Sequence, residues 1–529
     1  MIRSSMDQME IKVWGMKETF LSVFSLYENS VIFGKYSCWV CLICCPIVFQ
    51  QVLNDPIHGL IELHPLLIKI MDTPHVAHLA GELARALKSK QSELEIDDRD
   101  ILCVQIAGLC HDLGHGPFSH LYDGLFIPEH EDASLCMFDH LVEENGLKPL
   151  MELYDLNPYG KEENDLVFIK EMIQGKPPTE AKVQTSWPYK GRTEEKSFLY
   201  EIVANKLNGI DVDKFDYLAR DAYHLGMQSN FDHKRFIMLA RVCEKFKKHI
   251  CSRDKEVGNL YDMFHTRYCL HRRVCQHKTH KAIELMIRDA FLKADEHIKT
   301  EGSRGEMFKL STAKDDMEAY TKLTDQVFER ILHPCSSSCP ELKEASKILQ
   351  RIVSRNLYKF VGETKVCSKV LMSLYYIWFV MAGDHIVTFD YGKEEEDPIN
   401  NTYFYSKCNP NKGFKIPENQ KSKLLPANFS ETIMRVYCKN AENVNLEGAR
   451  KAFEDWCSKN GFAVPEVIFR YSMLKVQCEA GVPGENPRMH RENMQTPCRK
   501  IPGKPGREPG TFLLQGESAN HYATVQPPL

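Results

Sequence analysis

Apolar residues recur every three or four positions along most of residues 51–360, a periodicity that predicts a largely helical region. The stretch DDRDILCVQIAGLC (97–110) shows this pattern, and either Asp97 or Asp98 is placed to cap the helix. The two glycines that follow soon after should end it, which leaves the adjacent His-Asp pair near its C-terminal end. The predicted buried face carries Leu102, Ile106 and Leu109.

The pattern changes on both sides of this helical region. Residues 1–50 are Cys-rich and aromatic without clear caps or a period, and we treat them as an unrelated N-terminal segment. Residues 366–465 mix strand-like pieces such as HIVTFDY with a helix in LEGARKAFEDWCSKN, which predicts a small α/β lobe. Residues 466–529 are rich in Pro, Gly, Arg and Asn, which is typical of a disordered tail. The predicted fold is mainly α, with a helical core over 51–365 followed by the mixed lobe.

Composition and charge mainly exclude classes of protein. The 529 residues are 43% hydrophobic and 26% charged, as in ordinary soluble proteins, and the net charge of −5 gives no global signal for nucleic acid or an anionic membrane. The 19 cysteines are scattered and no secretory signal opens the chain, so we expect reduced thiols in an intracellular protein. The longest apolar runs, 38–49 and 370–383, are shorter than the ~20 residues of a membrane span, and no membrane contact is expected.

The sequence CHDLGHGPFSH (110–120) concentrates candidate metal ligands. His111 and Asp112 can offer an imidazole nitrogen and a carboxylate oxygen to one divalent ion such as Zn, Fe or Mn. A further carboxylate must come from elsewhere, and the best source is NGIDVDKFDYLARD (208–221). A salt-bridged surface helix is the alternative for this second stretch, but the nearby His-Asp pair favours a site. If the stretch is helical, one face carries Asp213, Tyr217 and Asp221.

A third segment, HTRYCLHRRVCQHK (265–278), predicts a cationic helix face. Arg267, His271 and Cys275 recur every four residues and therefore share one side of a helix. Guanidinium groups bind phosphate oxygens bidentately, so this face is a candidate polyphosphate site. An exposed basic surface is the commoner meaning of such a run by itself.

Together these motifs resemble one family, the HD-domain deoxynucleoside triphosphate triphosphohydrolases in which a sterile alpha motif accompanies the HD domain. CHDLGHGPFSH, NGIDVDKFDYLARD, DKEVGNLYDMFHTR and LHRR carry the resemblance, and segments such as WPYKGR and LLPANFSETIMRVYCK extend it from about Gln51 to Phe462. It implies an HD-domain core that hydrolyses dNTPs to deoxynucleosides and inorganic triphosphate. It also implies lowered dNTP pools that restrict viral replication, and a nuclear location, although no import signal is evident.

The resemblance assigns roles residue by residue. The divalent metal, which would be Zn, Fe, Mn or Mg, would be bound by His111, Asp112 and Asp213. His130 would donate a proton to the leaving 5′-oxygen, and the other catalytic residues would be His115, His120, Asp123 and Glu131. The substrate would be held by Lys214, Tyr217, Asp221, Arg267, His271 and Gln276.

The family is also activated by nucleotides that assemble a homotetramer. GTP or dGTP would fill a first regulatory site, matched here by Val52, Asp72, Arg355 and Lys359. A dNTP would fill a second site, matched by Asn54, Arg235, Arg253, Lys255, Asn259, His277, Lys278 and Lys439, and Asp232 belongs to the same allosteric set.

The chain departs from the family where DTP (72–74) runs almost directly into HLAG (78–81). The segment that is absent there carries the family's first metal histidine and part of the guanine-reading site. Asp72 aligns with that histidine and His75 follows three residues later, so either residue is a candidate replacement. Cys275 stands where the family has a tyrosine that packs against the deoxyribose, and residues 1–50 replace the sterile alpha motif.

Two functions therefore follow from the sequence. The first is a dNTP triphosphohydrolase that works more slowly than an intact family member, with weak or absent GTP-dependent tetramerisation. The alternative is a catalytically weakened protein that binds nucleotides or single-stranded nucleic acid, or serves as an assembly partner.

Overall fold

The computed structural model describes residues 51–70, 74–160, 164–177, 187–244, 248–335, 339–366, 382–439 and 445–464. The predicted N-terminal segment, the predicted disordered tail and Asp72 lie outside the described residues, as does most of the apolar run 370–383. No helix in the ranges given above is long and apolar enough to cross a membrane.

Helices form most of the described structure, as the periodicity predicts. The first are α1 (Pro65–Ile70), α2 (His75–Lys90), α3 (Asp98–Cys110), α4 (His120–Phe126), α5 (His130–Glu144), α6 (Lys148–Leu153), α7 (Asp165–Gln174) and α8 (Val212–His224). They are followed by α9 (His233–Leu239), α10 (Val257–Leu270), α11 (Lys278–Ala294), α12 (Met317–Lys322), α13 (Val327–Leu332), α14 (Pro340–Val353) and α15 (Leu446–Lys459). A π-helical segment, His271–Cys275, continues α10.

The strands form small sheets around this helical body. They are β1 (Gln51–Asp55), β2 (Gly59–Leu63), β3 (Arg241–Glu244), β4 (Lys248–Arg253), β5 (Lys299–Glu301), β6 (Met307–Lys309), β7 (Lys359–Val366), β8 (Ala382–Asp390), β9 (Tyr403–Ser406), β10 (Asn409–Phe414) and β11 (Ser430–Cys438). The sheet orders are β1-β2, β10-β9-β4-β3, β7-β11-β8 and β5-β6. Pairing is antiparallel except between β4 and β9, which run parallel.

Helix α3 is the central helix of the core and begins where the sequence predicts. The Asp97 side chain accepts a hydrogen bond from the Asp100 backbone N–H, and the Asp100 carboxylate accepts one from the Asp97 backbone N–H. The single buried face expected for α3 is wrong, because every residue from Asp100 to Cys110 is buried. Helices α2 and α7 contact α3 and cover positions that periodicity assigns to solvent.

A buried ionic network fixes α3 against α7. The guanidinium of Arg192 donates to Asp100 at 2.8 Å and to Asp165 at 2.6 Å, and both carboxylates are fully buried. Removing one member would leave an uncompensated buried charge, which typically costs about 3–5 kcal/mol. The network therefore fixes α3, and His111 and Asp112 follow the C-terminal end of this helix.

The elements expected in the mixed lobe are found in the described residues. All of HIVTFDY except Tyr391 lies in β8, and the expected helix is α15, as the sequence predicts. The sheet β7-β11-β8 packs against α15, while Tyr437 of β11 packs against Met286 of α11. The predicted boundary after residue 365 falls within β7, so the sheet begins slightly before it, and the division into core and lobe stays a prediction.

Candidate metal and catalytic site

The adjacent residues His111 and Asp112, called the HD pair below, project from the C-terminal end of α3. His111 caps the helix, and its Nδ1–H donates to the carbonyl of Gly108 at 2.9 Å, which leaves Nε2 facing outward. Nε2 lies 3.4 Å from a carboxylate oxygen of Asp112 and 3.3 Å from one of Asp213. The structure thus brings together two adjacent residues and a third from a helix one hundred positions later in the chain, and all their ligand atoms lie within 4.8 Å.

Asp213 reaches this point because α8 is amphipathic. The Asp211 side chain accepts from the backbone of Lys214 and caps the helix, while Phe215 and Leu218 are buried on the opposite side. Asp213 lies in the first turn and Tyr217 one turn later. The predicted helix is therefore present, and its inner side is buried in the core.

The three donors fit a divalent metal ion. One imidazole nitrogen and two carboxylate oxygens suit zinc, iron or manganese. Burial alone would lower the pKa of His111, but the hydrogen bond to Asp213 and the charge of Asp112 raise it to about 9. The pocket is therefore strongly negative and attracts a cation. A bound metal requires neutral imidazole, so its binding would displace the proton.

A histidine pair adjoins the metal donors. His115 donates from Nδ1 to Asp123 at 2.6 Å, and its Nε2 lies 3.5 Å from Asp112. The imidazole of His130 stacks on that of His115, with centroids 4.1 Å apart and planes inclined by 22°. Burial and the charge of His115 lower the pKa of His130 below its usual range. The lowered pKa favours the neutral imidazole of His130 and makes its protonated form a stronger acid, which gives up its proton readily.

Glu131 and His120 complete the predicted catalytic set. Burial raises the pKa of Glu131, but the ion pair with Lys206, at 2.9 Å, lowers it to about 2. Its carboxylate lies 3.7 Å from Nδ1 of His130 and stays charged. His120 is more exposed, and its ring lies edge-on to His115 at 5.0 Å. These side chains gather in one place, as the resemblance implies.

The loop between α3 and α4 requires glycine for close packing. A Cβ at Gly114 would lie 2.2 Å from the carbonyl oxygen of His130, so this glycine lets the loop touch α5. Ser134 Oγ accepts from the Gly114 N–H and donates to the His111 carbonyl, both at 2.9 Å. Tyr320 donates to the Gly114 carbonyl at 2.6 Å. The loop that carries the HD pair is thus held on both sides.

The predicted substrate residues of α8 occupy a polar, mostly buried face. Lys214 donates from Nζ to Asp211 at 3.1 Å, and although burial opposes it, this carboxylate raises the pKa of Lys214. Burial raises the pKa of Tyr217 to about 12, so its hydroxyl stays neutral. Burial and the charge of Asp216 raise the pKa of Asp221.

The predicted phosphate-binding residues lie at the end of α10. Arg267 donates to the carboxylate of Asp390 at 2.6 Å and to its carbonyl at 2.9 Å. Beyond Leu270 the backbone is π-helical, so the regular α-helical spacing expected from Arg267 to Cys275 is wrong for its second half. Burial and the charge of Arg267 lower the pKa of His271 to about 4. The buried Oε1 of Gln276 has no hydrogen-bond partner, which fits a contact with a ligand.

His75 does not join the metal donors. Its Nδ1 lies 3.3 Å from Asp55, and burial together with the charge of Arg220 lowers the pKa of His75. The contact has an ion-pair distance without the angle of a hydrogen bond. No candidate metal group among the described residues includes His75, so the structure does not bring this proposed replacement for the absent histidine to the donors. The other, Asp72, lies outside the described residues.

Six of the predicted regulatory residues fall into two groups of contacts. Asn259 donates to the Asp232 carbonyl at 3.1 Å and to Glu256 at 3.2 Å, and Arg235 also pairs with Glu256. A surface pocket is lined by Lys278, Thr279, Ala282, Arg355, Leu357, Tyr358, Lys359 and Phe360, and therefore unites three of the predicted cations.

The remaining regulatory residues lie mostly on surface elements. Val52 and Asn54 are exposed on β1. Arg253 pairs with Asp254, next to Lys255, while His277 caps α11. Lys439 pairs with Asp289 of α11 at 2.7 Å.

Four residues around the site were not predicted. Asp390 binds Arg267, Ser134 and Tyr320 hold the Gly114 loop, and Lys206 pairs with Glu131. Of the four, only Asp390 could have been noticed in the sequence, because it is the one carboxylate in the strand-like stretch HIVTFDY. The sequence around the other three residues contains no pattern that predicts a role in the site.

Comparison with known proteins agrees with this geometry. The model of the HD domain family matches residues 74–221, which hold the proposed metal donors and catalytic histidines. The deoxynucleoside triphosphate triphosphohydrolase SAMHD1 of Danio rerio is 51% identical over 477 residues, covering 79% of this chain and 75% of the relative. The human protein of the same name is 50% identical over 481 residues, with 79% and 75% covered.

The chain belongs to the SAMHD1 family. A more distant member, the SAMHD1 homolog of Dictyostelium discoideum, is 34% identical over 442 residues, covering 74% of this chain and 78% of the relative. Membership rests on identity over most of both chains.

Proposed function

We propose that this chain hydrolyses dNTPs to deoxynucleosides and inorganic triphosphate, using a divalent metal bound by His111, Asp112 and Asp213. The observation that carries the proposal is the stack of His115 and His130 at 4.1 Å beside those three donors. An imidazole acid next to a metal site is what cleavage of a phosphoester with a poor alkoxide leaving group needs.

In the proposed reaction a water oxygen forms a bond to the α-phosphorus as the bond to the 5′-oxygen breaks. His130 gives its proton to the 5′-oxygen, and the attacking water releases one proton, so protons balance over a cycle. Asp123 orients His115, whose positive charge lowers the pKa of His130 and so favours proton transfer to the leaving oxygen. A metal held by the three donors would polarise the phosphate and assist the attack.

The triphosphate would lie between α8 and α10. Lys214 and Arg267 supply positive charge, which stabilises the charge that spreads over the phosphate oxygens. Tyr217 would pack against the sugar, while Asp221 and the unpartnered Oε1 of Gln276 accept hydrogen bonds from the 3′-hydroxyl end. Cys275 fills less of the sugar pocket than a tyrosine would.

We propose that turnover is slow, so that nucleotide binding exceeds catalysis. Described residues contribute only three metal donors, and His75 is bound elsewhere. The pocket containing Lys278, Arg355 and Lys359 supports binding of activating GTP, dGTP or dNTP phosphates. We propose weak or absent GTP-dependent tetramerisation, because the segment that carries part of the guanine-reading site is absent from the chain after Asp72.

The proposal extends to the role in the cell and to a second candidate. Even slow hydrolysis would lower dNTP pools and thereby restrict viral replication, in the nucleus as for the family. If turnover is lost, the cationic segment 265–278, which begins in α10, supports binding of nucleotides or single-stranded nucleic acid instead.

The direct test is release of deoxyguanosine and triphosphate from dGTP by the purified chain with Mn²⁺, GTP and dATP. His130→Ala should lower the rate by at least ~100-fold, because general acid catalysis contributes that much or more. His140→Ala changes another histidine of α5 and is the matched control. Equal rates for the two variants would contradict the proposed role of His130.

A further inference from the structure

A second cluster of metal-ligating side chains lies outside the site described above. The ligand atoms of His297, Cys339 and Glu341 all lie within 4.8 Å of one another, and Nε2 of His297 is 3.9 Å from a carboxylate oxygen of Glu341. An ion pair between the histidine and the glutamate would account for two of these residues. It does not explain why the thiol of Cys339 lies beside the same two side chains.

The backbone around the cluster is firmly held. His297 follows α11, while Cys339 caps α14 and Glu341 lies in its first turn. The two helices pack through Ala290 and Ala294 of α11 and through Ala345 and Leu349 of α14. Lys293 pairs with Glu344 at 2.8 Å across the same junction. Only side-chain rotation is therefore needed to adjust the three donors.

Thiolate, imidazole and carboxylate together form a donor set typical of zinc. In a tetrahedral zinc site the donors lie ~2.0–2.3 Å from the ion, and so roughly 3.4 Å from one another. Closing from the present spacing takes about 1 Å. The side chains of His297 and Glu341 are 32% and 61% exposed, so they are free to make that movement. Sγ of Cys339 already accepts a hydrogen bond from the Leu342 N–H at 3.5 Å, which fixes the position of the sulfur at the start of α14.

We propose that His297, Cys339 and Glu341 bind a zinc ion, with solvent as its fourth ligand. The ion would join the C-terminal end of α11 to the N-terminal end of α14. It would act as a structural link rather than take part in dNTP hydrolysis, because none of its donors belongs to the HD cluster.

Cobalt substitution separates this site from the catalytic one. Cobalt bound by a thiolate absorbs in the near ultraviolet through sulfur-to-metal charge transfer, and the donors at the HD site contain no sulfur. The full-length protein, reduced and stripped of metal, is titrated with Co²⁺ and then with Zn²⁺. We expect one equivalent of the charge-transfer band, which zinc abolishes.

The variants Cys339→Ser and His297→Asn should each weaken this binding by at least ~100-fold, since even second-shell losses cost ~10–100-fold. Cys408→Ser removes an exposed cysteine outside the cluster and should leave the band unchanged. Circular dichroism of each variant checks its fold. Absence of the band in the parent protein, or its persistence in Cys339→Ser, would overturn the proposal.

Discussion

The guanidinium of Arg267 is bound to the carboxylate of Asp390 across 2.6 Å. Arg267 lies in the last turn of α10, whereas Asp390 ends β8, 123 residues later in the chain. The β7-β11-β8 sheet therefore contacts the proposed phosphate-binding group directly. A triphosphate that approaches Arg267 also meets the negative charge of Asp390.

Asp390→Asn should lower the KM for dGTP by about two- to fivefold, because partly exposed ion pairs contribute at most about 1 kcal/mol. The amide keeps an acceptor for Arg267 and for the Gly392 N–H, so the geometry should persist while the repulsion of phosphate disappears. Steady-state kinetics measure this change. Glu395→Gln removes a charge from the exposed turn after β8 and is the control. A higher KM for Asp390→Asn would mean that the carboxylate positions Arg267 for substrate.

The metal prediction is tested in a background without the second cluster. His111→Ala combined with Asp112→Ala removes two of the three donors, so metal content should fall to the level of a nonbinding protein. Elemental analysis after dialysis measures it, with Cys339→Ser as the parent. Asp98→Ala, which replaces an exposed carboxylate at the other end of α3, should retain the metal. Unchanged metal in the double variant would place the site elsewhere.

Helix α3, its Asp97 cap and the face of α8 followed from the sequence because they depend on local spacing and capping. Complete burial of α3 did not, since it depends on which helices pack against it. The pairing of Arg267 with Asp390 joins distant segments and has no local signal. The same holds for His75, which lies beside Asp55 in the fold although its sequence position suggests a ligand.

Gly114→Ala should strongly destabilise the protein and abolish activity. The added Cβ would lie 2.2 Å from the carbonyl of His130 and 2.3 Å from the backbone nitrogen of Ser134, so α5 or the HD loop must move. Gly124→Ala is the matched control, because it makes the same substitution at a helical glycine where an added Cβ meets nothing within 4 Å. It should be neutral or stabilising by about 0.5–1 kcal/mol. Thermal unfolding that shifts equally in both variants would refute the packing argument.

Protonation of His233 should destabilise the fold in mild acid. Burial and the charge of nearby His58, whose ring lies 5.3 Å away, lower the pKa of His233 from its ordinary value of 6.5 to about 4. Between these values the unfolded chain binds a proton that the folded chain does not, so stability falls as the pH falls from about 6.5 to about 4. The contribution is on the order of 2 kcal/mol.

The measurement is denaturant unfolding of His233→Phe across that pH range. The variant should lose part of the pH dependence, whatever its absolute stability. His333→Gln, at an exposed histidine, should keep the full slope. Identical slopes for His233→Phe and the parent would show that another group is responsible.

The last prediction concerns the rate of hydrolysis itself. At saturating Mn²⁺, GTP and dATP, we expect this chain to release deoxyguanosine from dGTP at least ~100-fold more slowly than the human relative. Two features of the structure argue for this. The described residues supply three metal donors while His75 is bound near Asp55, and displacement of catalytic geometry by about 1 Å can cost ~100-fold by itself.

Replacing Cys275 tests the cause of the slow hydrolysis independently of the metal donors. A thiol leaves space where a phenol ring would pack, so the sugar is held loosely. Cys275→Tyr should therefore raise kcat/KM, and mainly by lowering KM, since packing against the sugar is common to ground and transition states. His75→Ala should leave the rate and the metal content unchanged. A parent rate equal to that of the human relative, or a large loss on replacing His75, would mean that this histidine moves to complete the metal site during catalysis.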